Sequence, residues 1–228
     1  MKSSKYLLLF IIVSFVSCST LMKSALKPST LETITALREI LNSSTFKALM
    51  QLKNLSGDDP MQTLPPEVNL VLNSLSSLGL SAEIAKSKEV IGKSAAIMLT
   101  ESEGIMKDAI SEVDFGDAVA VVTGGKDAAT QVLKNNMKVV VKKRYSERLN
   151  LELNKSEVNK YWPLAAGTYN MFTKNKVDTA LSDFMAERAV DAIFLAVGHE
   201  EQELRKDPAS LGKAVVTKVF DYYMKRKS

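Results

Sequence analysis

Residues 180–205 read ALSDFMAERAVDAIFLAVGHEEQELR and carry the clearest periodic pattern of the chain. Large apolar residues recur at three- and four-residue steps and form one stripe: Phe184, Val190, Ile193, Phe194 and Val197. Acidic residues such as Glu187 and Asp191 fall outside the stripe. The pattern predicts an amphipathic helix from Ala180 to about Arg205. Asp207-Pro208 ends it, because a residue that precedes proline disfavours helical backbone.

The same helical period recurs through most of the remaining chain. Ser29 and Glu32 have the spacing of a capping box, in which each side chain accepts a hydrogen bond from an amide at a helix start. The other predicted helices are Thr45 to Leu55, a helix opened by Pro65-Pro66 and closed at Gly79, Ser81 to about Glu112, Asp114 to Val121 or Val122, helices that begin near Asp127 and Ser156, and Ala209 to Met224. The sequence therefore predicts an all-α protein, a compact bundle of roughly seven to nine helices.

Two short runs have the composition of strands and leave an alternative open. These are AVAVV at residues 118–122 and KVVVK at residues 138–142. Valine is enriched in strands, although neither run alternates apolar and polar residues.

The composition excludes several classes of protein. The 228 residues include 46% hydrophobic and 25% charged residues, which is typical of a globular protein. The net charge is +4, and removal of Lys2 and Lys5 with the N-terminal segment leaves +2, too little to indicate nucleic-acid binding. The single Cys rules out an intramolecular disulfide and a metal site that needs two cysteines, and the single His rules out any metal site that needs two histidines.

The N-terminal segment has the order of a secretory signal. A short basic start precedes the apolar run from Tyr6 to Val16, which is too short to span a bilayer comfortably. Phe15-Val16-Ser17-Cys18 resembles a bacterial lipobox, in which the cysteine is acylated, for example with palmitate, and becomes the first residue of the mature chain. We expect a signal peptide at residues 1–17, a lipidated tether at 18–28 and a single all-α domain at 29–228. An ordinary secreted protein is the alternative.

From about Leu31 onward the chain resembles a bacterial family known as domain of unknown function 4197. The matching residues form three blocks: Asp117-Ala118 with Thr123-Gly124-Gly125 and Ala128-Ala129-Thr130; Glu187-Arg188-Ala189 with Asp191, Phe194 and Glu200-Glu201; and Arg205-Lys206-Asp207-Pro208 with Lys218-Val219-Phe220. The resemblance implies an exported, helical, envelope-associated protein and implies no activity. Gly198-His199 stands where members of the family usually carry an acidic run.

The stretch VVTGGKDAAT, residues 121–130, is the first candidate site. Glycines before a helix can expose amides to an anion. However, Thr123, Gly124 and Gly125 lack the spacing of a phosphate-binding loop, and Asp127 would repel an anion. We therefore predict a helix end at the two glycines and a new cap at Asp127.

Two further candidates have ordinary interpretations. His199 and Glu203 have the i, i+4 spacing of metal ligands, but the chain has no second His to complete a set, and we predict no metal or other cofactor. Lys134, Lys138 and Lys142 share one helix face, which indicates either a solvated surface or a contact with anionic lipid headgroups.

Polar residues of the last helices form a further group of candidates. We expect Arg205 to bind a carboxylate, such as Asp117 or Asp191, together with the ends of neighbouring helices, because its guanidinium presents a fixed fork of donors. Glu187, Glu201 and Asp207 are further binding or structural candidates.

Two functions follow from these observations. The first is a non-catalytic lipoprotein of the bacterial envelope, facing the periplasm from the outer membrane and binding an apolar or protein partner. The second is an envelope hydrolase that uses clustered carboxylates, namely Asp117, Glu187, Asp191 and Glu201, as acid and base.

Overall fold

The computed structural model describes residues 26–56 and 64–224, and in these ranges the chain forms eight α-helices and no strand. The helices are α1 Thr30–Ser56, α2 Pro66–Asn73, α3 Ser81–Glu112, α4 Ala118–Thr123, α5 Ala128–Leu153, α6 Val158–Phe172, α7 Leu181–Lys206 and α8 Ala214–Met224. The predicted all-α class is confirmed. The signal segment, Cys18 and most of the tether lie outside the described residues.

Four long helices, α1, α3, α5 and α7, form the centre of the molecule. Each packs against the next, and α7 also packs against α1, so that the four helices close a ring. In this ring α3 and α7 lie diagonally across from each other. The arrangement is that of a four-helix bundle, whose interior is a usual place for ligand sites.

The predicted stripe of α7 faces the core of this bundle. Phe184, Val190, Ile193, Phe194 and Val197 are all buried. Burial of such side chains removes apolar surface from water and contributes about 1.5–3 kcal/mol for each large residue.

Several helix starts and one helix end follow the predicted local chemistry. The Ser29 amide donates to the Glu32 carboxylate at 2.8 Å and the Glu32 amide donates to Ser29 Oγ at 3.2 Å, which confirms the capping box. Pro66 occupies the first position of α2, and Gly79 has a left-handed backbone with φ of 74°.

The predicted break before Thr45 is wrong, since α1 continues without interruption from Thr30 to Ser56. Leu41 and Ala48 are both fully buried and lie seven residues apart, so one apolar stripe crosses the Asn-Ser-Ser sequence at 42–44. Packing of that stripe outweighs the low helix propensity of these polar residues.

The predicted start of the last helix at Ala209 is also wrong. Pro208–Leu211 forms a short 3₁₀ helix, Gly212 takes a left-handed φ of 63°, and α8 begins only at Ala214. A left-handed residue ends a helical segment and reorients the chain.

The two valine-rich runs are helical. Residues 118–122 lie in α4 and residues 138–142 lie in α5. In α5 Val141 is buried whereas Val139 is 80% exposed. Residues two apart share a face in a strand but lie on different faces of a helix, so this difference is typical of a helix with one packed face.

Candidate functional site

The glycine stretch joins the end of α4 to the start of α5. A Cβ at Gly124 would lie 2.9 Å from the Ala120 carbonyl oxygen and 3.0 Å from Ala128 Cβ, whereas Gly125 faces open space. Gly124 is therefore required by the close approach of the two helices. Asp117, not Asp114, caps α4, and its Oδ1 accepts from the Ala120 amide at 3.0 Å.

The start of α5 is capped by a residue from a distant part of the sequence. The Glu201 carboxylate, on α7, accepts from the amides of Ala129 at 3.0 Å and Thr130 at 2.7 Å, and from Thr130 Oγ1 at 2.6 Å. Asp127, which we predicted as the cap, makes no such bond, and its Oδ2 accepts from Gln131 Nε2 instead. A buried carboxylate of the protein therefore occupies the position where an external anion would bind a helix start.

Arg205 lies one turn from Glu201 and completes the buried group. Its Nε donates to Glu201 Oε1 at 2.7 Å, while Nη1 and Nη2 donate to the carbonyls of Val122 at 2.8 Å and Val121 at 3.1 Å. The guanidinium carbon also lies 5.3 Å from the centre of the Phe220 ring on α8. Arg205 does bind a carboxylate and a helix end as predicted, but the carboxylate is Glu201 rather than Asp117 or Asp191.

The buried Glu201 and Arg205 side chains have a structural role. The Glu201 side chain is fully buried and that of Arg205 is 5% exposed, so the pair is shielded from solvent and fully hydrogen-bonded. The remaining predicted residues of this region make local bonds: Thr123 Oγ1 donates to the Val119 carbonyl, and the Asp207 carbonyl accepts from the Ser210 amide after α7 ends. The group fastens α4, α5, α7 and α8 together.

Glu187 and Asp191 lie further along α7 and form a ladder of ion pairs with α5. Lys138 Nζ lies 2.8 Å from both Glu187 Oε1 and Asp191 Oδ1, and Lys142 Nζ lies 2.8 Å from Glu187 Oε2. Lys134 approaches Asp191 at 3.9 Å. The three lysines of the predicted basic face therefore meet carboxylates of the same protein, which argues against the lipid-headgroup interpretation.

The ladder also sets the protonation of Glu187. Hydrogen bonds from Lys138 and Lys142 lower the pKa of Glu187 from 4.5 to about 2, so it cannot hold a proton near neutral pH. Glu187 and Glu201 lie fourteen positions apart along α7, which at a rise of 1.5 Å per residue is about 21 Å. These carboxylates of the predicted hydrolase site do not converge.

The remaining sequence candidates do not form a site. His199 is 69% exposed and lies 3.9 Å from Glu200 Oε1. Within residues 26–56 and 64–224 no group of three His, Cys, Asp or Glu residues is placed to hold a metal ion. Among the helices that the structure describes, none combines the length and the apolar character that a bilayer crossing requires.

A cleft between α3 and α7 has a volume of about 630 Å³. Tyr145 and Leu149 of α5 line it, together with the end of α1 and the segment before α2. Alanines occupy facing positions on the two walls, Ala95 and Ala96 on α3 and Ala189 and Ala192 on α7, and leave the space open. We call this feature the α3–α7 cleft.

The polar groups of the α3–α7 cleft are few. Ser102 Oγ is buried and donates to the Met98 carbonyl at 2.7 Å. Tyr145 is fully buried, and among the described residues Ser102 lies near its hydroxyl without full hydrogen-bond geometry. Burial raises the pKa of the Tyr145 phenol above its usual value, and the nearby Ser102 offsets only part of that rise. Tyr145 therefore stays protonated and remains a donor at physiological pH.

Sequence reasoning missed the α3–α7 cleft. Ala95 and Leu99 fit the helical apolar period of α3, but nothing in that period shows that the facing residues of the helix across the bundle are also small. The available signal was the pairing of small residues on two helices, Ala95-Ala96 and Ala189 with Ala192, at positions where packed helices usually carry large side chains.

Comparison with known proteins agrees with the resemblance seen in the sequence. Residues 27–221 match the model of a family described as "Protein of unknown function (DUF4197)", which is most of the chain. No curated protein and no solved structure gives a significant match. The chain belongs to the DUF4197 family.

Proposed function

We propose that this protein is a non-catalytic lipoprotein of the bacterial envelope that binds a small apolar molecule in the α3–α7 cleft. The single observation that carries the proposal is the cleft itself. Its volume of about 630 Å³ falls within the roughly 300–1,000 Å³ range of small-molecule sites. Most of its lining is apolar, including Leu52, Leu99, Met185 and Ile193.

The location of the protein is part of the proposal and is supported by the sequence. Cys18 follows a basic start and an apolar segment, in the arrangement of a lipobox. Acyl chains on Cys18 would hold the helical domain at a membrane, facing the periplasm and, because Ser19 follows the cysteine, at the outer membrane. A protein in that position meets apolar molecules that partition into or cross the envelope.

The chemistry of the carboxylates favours binding over hydrolysis. Glu201 is held by Arg205 and two amides, Glu187 by two lysines, and Asp117 by the start of α4. The lysines that hold Glu187 lower its pKa to about 2, whereas an acid catalyst near neutral pH needs the protonated form of its carboxylate.

The experiment fills the cleft and measures the binding of an apolar fluorescent dye, N-phenyl-1-naphthylamine. Ala95→Phe places a ring among the lining residues, while the control Ala82→Phe makes the same change at an exposed position of the same helix. The new ring should displace the dye from part of the cleft. A loss of dye contacts equal to two methylene groups costs about 1.6 kcal/mol, so Ala95→Phe should weaken dye binding at least ~tenfold.

The control should bind the dye like the unaltered protein, and thermal melting should show that both variants are folded. Equal binding of the dye by a folded Ala95→Phe variant would overturn the proposed site. No binding by the unaltered protein would overturn the function.

A further inference from the structure

The side chains that line the α3–α7 cleft leave few hydrogen-bond donors for a ligand. Thr100 Oγ1 donates to the Ala96 carbonyl at 3.1 Å. Ser102 Oγ donates in the same way to the Met98 carbonyl, so both hydroxyl protons are used within α3. The Tyr145 hydroxyl is buried and inaccessible to a ligand. The side-chain donors that a ligand in the cleft can reach are therefore those of its charged residues.

These charged residues are predominantly cationic. Lys53, near the end of α1, and Arg188, on α7, both line the cleft and are exposed, so they lie at its edge. Asp191 is the acidic lining residue, and its Oδ1 lies 2.8 Å from Lys138 Nζ. In the described part of the chain no carboxylate pairs with Lys53. The edge of the cleft therefore attracts an anion and repels a cation.

Arg188 is held at this edge from two sides. Its guanidinium carbon lies 5.5 Å from the centre of the Phe184 ring, and Nη2 lies 3.5 Å from Glu67 Oε1. Glu67 balances the charge of Arg188, so Lys53 supplies the net positive charge. Among the described residues, none accepts from Nε or Nη1 of Arg188. A guanidinium in this state offers planar donors that match the oxygens of a carboxylate or a phosphate.

We infer that the α3–α7 cleft binds an amphiphile with an apolar chain and one anionic group, a carboxylate or a phosphate, and that Lys53 and Arg188 bind the anionic group at the edge of the cleft. This inference rests on the proposed function, since it names the class of ligand for the same cleft. The chain loses its contact with water inside the cleft, while the anionic group stays partly hydrated at the edge and avoids the cost of burial. Met98 and Met185 line the cleft, and their flexible side chains adapt to a flexible chain.

The test compares three probes with the same chain length and different charge: decanoate, 1-decanol and decylammonium. Each probe displaces the dye N-phenyl-1-naphthylamine near neutral pH from the unaltered protein and from Lys53→Gln, Arg188→Gln and Lys47→Gln. The last variant is the matched control, since Lys47 is exposed on the same helix as Lys53 and does not line the cleft. A parallel series with decyl phosphate identifies which of the two anionic groups is bound more tightly.

Decanoate should bind the unaltered protein more tightly than decylammonium does. Lys53→Gln and Arg188→Gln should each weaken decanoate binding about three- to fivefold, which corresponds to the ~1 kcal/mol or less of a partly exposed ion pair. The affinity of 1-decanol should change less than twofold, and that of decylammonium should stay equal or rise. Added salt should reduce the preference for decanoate. Lys47→Gln should leave all three affinities unchanged.

Ala95→Phe shows whether the anion binds in the cleft or elsewhere, since it should weaken decanoate and 1-decanol alike. Thermal melting confirms that each variant is folded. Four results overturn the inference: unchanged decanoate affinity in both Lys53→Gln and Arg188→Gln, an equal loss for decanoate and 1-decanol in these variants, tighter binding of decylammonium than of decanoate, or decanoate binding that Ala95→Phe leaves intact. If the unaltered protein binds neither the dye nor any probe, the proposed function fails as well.

Discussion

Arg205 is the side chain at which the ends of four helices meet. It lies on α7, donates to the last carbonyls of α4, holds the Glu201 carboxylate that caps α5, and stacks near Phe220 of α8. Its planar guanidinium is the only common side chain with donors in the geometry to reach two carbonyls and a carboxylate at once. The stability of this end of the molecule should therefore depend on one residue.

Arg205→Ala should lower the free energy of unfolding by about 3–5 kcal/mol, because the Glu201 charge stays buried after its partner is removed. Arg205→Lys should recover only a small part of the lost free energy of unfolding, since an ammonium group cannot reproduce the planar set of donors of the guanidinium. Lys206→Ala is the matched control: the Lys206 side chain is 67% exposed and pairs only with Glu203 on the surface. Urea unfolding measures all three, and equal stability of Arg205→Ala and Lys206→Ala would contradict the role given to Arg205.

At the scale of the element, α5 and α7 are held together by the ladder of Lys138, Lys142, Glu187 and Asp191. The pKa of Glu187 is lowered to about 2 in the folded protein, from 4.5. A lowered pKa means that the folded state is stabilised above pH 4.5 and loses that stabilisation as the pH falls towards 2. The pKa of Lys138 is raised by its hydrogen bonds to Asp191 and Glu187. The stabilisation that Lys138 contributes is therefore present below pH 10.5 and is lost as the pH rises above that value.

Glu187→Gln should therefore lower the melting temperature at pH 7, and the difference from the unaltered protein should shrink between pH 4.5 and pH 2. The effect at pH 7 should be about 1 kcal/mol or less, because both partners are partly exposed, and salt should reduce it. Glu147→Gln is the control on α5, since Glu147 is exposed and lies 3.8 Å from Lys143. A difference that persists at pH 2 would rule out the ion pairs as its source.

Helices were predictable because their causes are local. The limits of α3, Ser81 and Glu112, follow from an apolar period, and the end of α7 follows from Asp207-Pro208. Caps were predicted less well, since their partners can be distant. The amide of Ala129 at the start of α5 is satisfied by a residue 72 positions away, which no local motif indicates. For Arg205 the reverse holds: the carboxylate that it binds, Glu201, lies only four residues away, and the i, i+4 spacing was a local signal for this pair.

At the scale of the whole molecule, the α3–α7 cleft could not be predicted from single helices. It exists because small residues on two helices face each other across the ring, and that relation depends on the rotation of each helix in the bundle. The sequence analysis named residues only for the alternative function, the carboxylate site, and none for the binding of an apolar partner, since acidic residues are visible in a sequence whereas empty space is not. The predicted carboxylates pair within the protein, whereas the α3–α7 cleft is lined mostly by apolar side chains.

The proposed lipid anchor would determine where the whole molecule meets the ligand proposed for the α3–α7 cleft. Each buried methylene group contributes about 0.8 kcal/mol to membrane attachment, so several acyl chains on Cys18 would hold the protein firmly. Cys18→Ser should abolish the incorporation of labelled palmitate and move the protein from the membrane fraction to the soluble fraction or leave the precursor uncut. Thr20→Ser, a change just beyond the lipobox, should do neither. If Cys18→Ser retained both the label and the membrane attachment, the anchor would lie elsewhere; if the unaltered protein carried no label, the α3–α7 cleft would have to be tested as the site of a secreted carrier.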